Sequence, residues 1–234
     1  MITRRELTTM SLKAVAGLMA TAPLLHGCAG RRVSVAPSPQ AMDWSAFVHA
    51  LSVLAEKQFS AEWNQAAYVE EVISLMRLVD LDDAKFDDVY DGYVRARGAF
   101  PEIQSVHDGG HFKVASLEFE PGDEIRLHNH PDMTGVILCV SGSLELEAFN
   151  VVDRPSASGK LLLEQVLQTR LTPGKFATLT ATHGNIHGLV ATEYTELLDV
   201  FTPPYDAERF KRYRWYRRSD EPVEGDTLFE AWET

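Results

Sequence analysis

The sequence predicts an all-β sandwich or barrel with an α-helical extension in front of it. Three observations carry this. After Gly98 the spacing of apolar residues changes from three-and-four to two. The alternating runs are short and end in turn residues, at Pro121-Gly122, Ser141-Gly142, Asp153 to Gly159 and Pro173-Gly174. Many short strands joined by such turns close into a sandwich or barrel. The third is His128-Asn129-His130 in an extended run. Strand side chains alternate, so both imidazoles face one side, as they would from the wall of a barrel.

In chain order, residues 1–30 stand apart from the fold. Thr3-Arg4-Arg5-Glu6-Leu7 is basic, Ala14 to Leu25 carries no charge and is too short to span a bilayer, and Leu25-His26-Gly27-Cys28 closes the stretch. This resembles a twin-arginine export signal ending in a lipobox. An exported protein is expected, periplasmic or membrane-anchored in the cell envelope, with Cys28 the candidate lipid anchor. Cys139 is then the one cysteine left, and no disulfide forms within the mature chain. Residues 31–42 form a Pro/Ser-containing tether.

From Asp43 to about Arg97 the pattern is helical. Trp44, Phe47, Val48, Leu51 and Leu54 form one apolar stripe, and Val69, Val72, Ile73 and Met76 a second. Phe86, Val89, Tyr90, Tyr93 and Val94 form a third, with a start near Asp82-Asp83. The barrel domain is expected over 98–216. Within it His111 to Glu120, 134–140, Ser143 to Phe149, 161–171, 175–180, 186–190 and 194–201 read as strands. Residues 217–234 read as a C-terminal tail.

Length and composition suit one globular domain with an extension: 234 residues, 45% hydrophobic, 24% charged. The net charge of −12 argues against non-specific nucleic-acid binding, because phosphates need compensating cations.

Two imidazoles on one face are half of a metal site. The third donor is sought later in the barrel, where His183 and His187 are candidates. His187 opens an alternating strand, whereas His183 precedes the Gly184-Asn185 turn, so His187 is preferred. Three neutral imidazoles leave a divalent ion its full charge and open positions, which favours an anionic ligand such as a thiolate. The same three hold zinc with a water as fourth ligand, so iron and zinc are both open at this point. His26, His49, His107 and His111 lack such context and read as surface or core residues.

Gly122, six residues before His128, resembles the first motif of the cupin barrels, which implies their all-β double-stranded β-helix fold of jelly-roll type. That motif places a glutamate four or five residues after its second histidine, where this chain has Thr134 and Gly135. Leu127-His128-Asn129-His130-Pro131, Met133-Thr134, Gly142-Ser143, Gly184-Asn185-Ile186-His187 and Leu198-Asp199-Val200-Phe201 with Pro203-Pro204-Tyr205 resemble the cysteamine dioxygenase and plant cysteine oxidase family of cupin-type thiol dioxygenases. The resemblance spans about 98 to 216. It implies Fe(2+) held by His128, His130 and His187, and dioxygen added to a small thiol to give a sulfinic acid. It also implies Asp199 and Tyr205 as catalytic residues, the carboxylate toward a substrate amine and the phenol toward bound oxygen or product. A monomer is expected. The rival class is a non-catalytic, zinc or nickel cupin binding a small molecule at the envelope. Two departures stand out. Asp132 occupies the place of a glycine after the second histidine, adding a carboxylate near the metal. The stretch Lys211-Arg212-Tyr213-Arg214-Trp215-Tyr216 has no cysteine for the Cys–Tyr cross-link of some relatives.

Overall fold

The computed structural model describes residues 41–58, 60–81 and 100–234. The export signal, the tether up to residue 40 and the helix expected from Asp82-Asp83 lie outside those residues.

Helix α1 (Trp44–Ala55) starts where Asp43 accepts a hydrogen bond from the Ala46 amide, at 2.8 Å. Helix α2 (Gln65–Met76) starts where Asn64 does the same for Ala67, at 3.0 Å. Such caps satisfy amides that a first helical turn leaves without partners, and each stabilises by about 1 kcal/mol. The apolar stripes predicted for both helices are the buried faces: Phe47, Leu51, Tyr68, Val72 and Met76 pack on Val114, Val136, Leu138, Leu198 and Val200.

Those five partners belong to one of two antiparallel sheets. The strands are β1 (Glu102–Asp108), β2 (Lys113–Phe119), β3 (Glu124–Asn129), β4 (Thr134–Ser141), β5 (Leu144–Val152), β6 (Leu161–Leu171), β7 (Phe176–Leu179), β8 (Ile186–Ala191), β9 (Thr195–Thr202), β10 (Tyr216–Arg218) and β11 (Leu228–Glu233), with a short helix α3 (Ala207–Arg212) before β10. The first sheet runs β1-β2-β9-β4-β7 and the second β10-β11-β6-β5-β8-β3. Distant strands pair in nested fashion, β2 and β4 with β9, β3 and β5 with β8. This is the jelly-roll order of a cupin barrel.

Alternation decides what faces where. On β2 and β9, Ala115, Leu117 and Leu197 point into the barrel, where they meet Ile137, Leu144, Leu146, Ala148 and Leu189. Val114, Leu198 and Val200 point out, to the helices. The first sheet is therefore buried on both faces, which is why β4 is an unbroken apolar run. Gly142 closes the β4–β5 turn at φ +73°; a Cβ there would sit 2.0 Å from the Tyr194 carbonyl, so only glycine fits.

Residues 217–234 are not a tail. β11 pairs with β6, and Phe229 and Ala231 bury against Phe149, Leu163 and Ile186. The Arg218 guanidinium lies 4.5 Å over the Phe229 ring and pairs with Glu147 at 2.9 Å. The acidic stretch before Leu228 hides this strand in the sequence. β1 also differs from expectation. It is not among the strands expected from the sequence, and it carries His107, stacked on Phe112 at 5.4 Å.

Candidate metal centre

Three imidazoles converge inside one end of the barrel. β3 supplies His128, the turn after it supplies His130, and β8 supplies His187. His128 and His187 are direct cross-strand partners, so the β3–β8 pairing places them side by side. Nε2 of His130 lies 2.9 Å from Nε2 of His128 and 3.0 Å from Nε2 of His187. His128, His130 and His187 are only 6, 9 and 6% exposed. Burial pushes His128 down to about 4, and burial with neighbouring imidazoles puts His130 and His187 well below the usual histidine range. At neutral pH all three are uncharged and offer lone pairs.

Backbone contacts fix the ring orientations. Nδ1 of His128 lies 2.8 Å from the Arg126 carbonyl, which only accepts, so Nδ1 carries the proton and Nε2 faces the centre. The Tyr205 hydroxyl lies 2.8 Å from Nδ1 of His130. With Nε2 of His130 turned to the centre as a lone pair, Nδ1–H donates to the phenol oxygen. Partners of this kind set the tautomer and raise the basicity of a ligating histidine. Asn185 holds the His130 backbone from both sides: its Nδ2 donates to the His130 carbonyl at 2.8 Å and its Oδ1 accepts from the His130 amide at 3.2 Å.

The donor set fits a divalent metal. Two Nε2 separations near 3.0 Å bring the donors close enough to share one divalent ion at metal–nitrogen distances of about 2.1 Å. His128, His130 and His187 would hold the ion. They form the one group of metal-binding side chains among the described residues. His183 stays outside: it is exposed in the turn, where its amide donates to Thr180 Oγ1 at 3.0 Å.

Asp199 points into the barrel between Leu197 and Phe201, beside Ala115 on β2 and Ile137 on β4. Burial pushes its carboxyl up to about 7. Asp132 does not face the metal. It is exposed at φ +56°, a conformation natural to glycine that aspartate tolerates, and its carboxylate binds Arg212 at 2.5 Å. The Arg212 guanidinium holds that carboxyl below its usual range. Cys139 is buried, with its thiol pushed up to about 11, which leaves it inert as a nucleophile.

Sequence reasoning expected Tyr205 near the centre but missed Tyr213 and Trp215, which complete the surroundings of the histidines. Trp215 lies 5.3 Å and Tyr213 5.7 Å from the His128 ring, and Tyr205 lies 5.8 Å from His130. The residue between the two histidines holds this aromatic segment: Asn129 Nδ2 donates to the Arg212 carbonyl at 3.1 Å, and its Oδ1 accepts from the Arg214 amide at 2.7 Å. Alternation, which sends Asn129 away from the metal, was the signal available.

A family model described as PCO_ADO matches residues 93–232. The chain belongs to that family. Among curated proteins, "Probable 2-aminoethanethiol dioxygenase" of Dictyostelium discoideum is 27% identical over 110 residues, covering 45% of this chain and 50% of that protein. "Plant cysteine oxidase 1" of Arabidopsis thaliana is 30% identical over 151 residues, covering 58% and 51%. The chain spans about half the length of these relatives. A solved double-stranded β-helix protein from Klebsiella pneumoniae is 23% identical, with 47% of this chain and 84% of that one aligned at a TM-score of 0.36. The PCO_ADO match takes in β10 and β11, beyond the limit of 216 expected from the sequence motifs.

Proposed function

We propose that this PCO_ADO chain is an iron-dependent thiol dioxygenase that adds both atoms of O2 to a small thiol, RSH + O2 → RSO2H. The observation that carries the reading is a centre of three uncharged nitrogen donors with no carboxylate, inside a chain of this family. A ferrous ion bound there supplies a site where a thiolate and dioxygen meet, and it lowers the pKa of the bound thiol.

The protein's own groups then have distinct tasks. His128, His130 and His187 hold the ion with their Nε2 atoms. Asp199, inside the barrel and ionised above about pH 7, holds the ammonium of an amine-bearing thiol. Tyr205, whose oxygen accepts from Nδ1 of His130 on the side of the ring away from Nε2, holds that ligand in the tautomer and orientation the ion needs. The apolar side chains of Ala115, Ile137 and Ala148 line the interior beside Asp199 and would keep bulk water away from the reacting groups.

The reading is tested by oxygen consumption of iron-loaded protein with cysteamine, cysteine, mercaptopropionate and a Cys-starting peptide. Uptake matched by sulfinate for at least one thiol is expected. Zinc in protein purified without added metal, and no uptake with any thiol, would replace it with a hydrolytic or non-catalytic cupin.

We also propose export to the cell envelope, on the Arg4-Arg5 pair, the uncharged Ala14 to Leu25 stretch and Cys28. Palmitate label is expected on Cys28 and absent from Cys28→Ser. A freely soluble, unlabelled mature form would exclude the anchor.

A further inference from the structure

We infer that Tyr68, on helix α2 of the extension, is a positioning residue for the metal centre, acting through Thr202 and Tyr205 on His130. This role needs only the metal ligands of the reading above, not the identity of the thiol. The Tyr68 hydroxyl lies 2.5 Å from Oγ1 of Thr202, the last residue of β9, across 134 residues of sequence. Tyr68 is 4% exposed and Thr202 1%, so solvent cannot replace either partner. Burial pushes the phenol up to about 12, which keeps it a neutral O–H. Thr202 is also the cross-strand partner of Thr134, four residues after His130. The hydroxyl pair thus sits where the segments carrying His130 and Tyr205 meet the first sheet.

What lies between Thr202 and Tyr205 transmits position. Pro203 and Pro204 have fixed φ, and a residue before proline is confined to extended backbone, which applies to Thr202 and Pro203. The link is therefore stiff, and Tyr205 is carried on a short rod rooted at Thr202. At its end the Tyr205 hydroxyl lies 2.8 Å from Nδ1 of His130. The Tyr205 ring also packs on Phe201 at 5.9 Å and on Phe210 at 5.0 Å. Ring contacts tolerate sliding, whereas a hydrogen bond weakens steeply off its preferred distance and angle. Loss of the Tyr68 hydroxyl frees the root of the rod, and the contact that loosens first is the one to the ligand. Packing of α2 on the first sheet comes from other residues, Val72 and Met76 among them.

Cobalt affinity, read by chelator competition and the ligand-field spectrum, tests this without turnover. Tyr68→Phe keeps the ring and removes one oxygen; it is compared with Tyr205→Phe, with the double variant and with Val72→Ala. Tyr205→Phe is expected to weaken cobalt binding about tenfold or more, the usual cost of a lost partner to a metal ligand. Tyr68→Phe, one step further out, is expected to weaken it about three- to tenfold and to shift the spectrum. The double variant is expected to match Tyr205→Phe to within about twofold, because a residue acting through Tyr205 has nothing left to act on. Val72→Ala leaves a cavity in the same seam, so it should melt at a lower temperature than wild type yet bind cobalt as tightly. If Tyr68→Phe does not fold, Thr202→Val breaks the same pair from the other side, and Thr202→Ser restores it. Wild-type affinity in Tyr68→Phe, equal weakening in Val72→Ala, or additive losses in the double variant overturns the positioning role and leaves the ligands in place. No cobalt bound by wild type overturns the ligand assignment with it.

Discussion

His187→Ala is expected to lose its iron and to lower turnover at least about 100-fold, the loss that even outer partners of metal ligands produce. The reason is geometric. Nε2 of His130 lies 3.0 Å from Nε2 of His187, so deleting His187 removes one corner of the donor set and leaves two nitrogens at 2.9 Å to hold the ion. His183→Ala, four residues away, is expected to keep both iron and turnover, because that side chain is exposed in a turn outside the centre. Iron content by elemental analysis of the two variants makes the comparison. Full iron in His187→Ala would reject the ligand assignment.

The second large effect belongs to Asp199, and it has opposite signs for binding and stability. Its folded pKa, about 7, stands above the unfolded value of about 3.9. Between those two values the native state keeps a proton that the unfolded chain has lost. Stability therefore falls as pH rises from about 4 to about 7, then levels. Asp199→Asn removes that slope. In metal-free protein at pH 8 the variant is expected to be more stable, on the order of 1–3 kcal/mol after allowance for partial exposure, with the difference vanishing near pH 4. Activity moves the other way. For an amine-bearing thiol above pH 7, KM is expected to rise by about 10- to 100-fold, the worth of one charge-assisted hydrogen bond. For mercaptopropionate, which has no amine, it should barely move. Thermal melts across pH and a two-substrate comparison check both halves. A variant less stable at pH 8 would mean that the carboxylate has a cationic partner in the folded protein.

These expectations trace back unequally to the sequence. The ligand pair was legible because alternation on a strand is a rigid rule: residues two apart face one way, and His128-Asn129-His130 has only one reading as a strand. His187 was distinguishable from His183 by the same rule, since one begins an alternating run and the other precedes a turn. The two apolar stripes of α1 and α2 were equally plain, because period and burial coincide there. Two strands were not. β1 is largely polar, with Ser105 and Val106 the buried residues and a bulge between Ser105 and His107 that breaks the alternation. β11 follows an acidic stretch and owes its burial to Arg218 and Phe149, which only the folded sheet brings near.

The support around the histidines was hidden for a different reason. Asn185 holds His130 across 55 residues, and Asn129 holds Arg212 across 83. Both work through backbone groups, and neither side chain advertises its partner in the sequence. Asp132 shows the converse case. From sequence it was a carboxylate beside a metal; in the fold its left-handed backbone turns it to solvent and Arg212 neutralises it. A charge close to a ligand in sequence is thus no guide to the field at the ligand, because one turn residue redirects the side chain.

The proposed activity requires a centre where sulfur acquires both atoms of one dioxygen molecule. Turnover of cysteamine by iron-loaded protein under ¹⁸O₂, with mass analysis of the product, reads this directly. The predicted result is a sulfinic acid carrying label at both oxygens. A product with one labelled oxygen and one from water, or a disulfide with no incorporated oxygen, would contradict it.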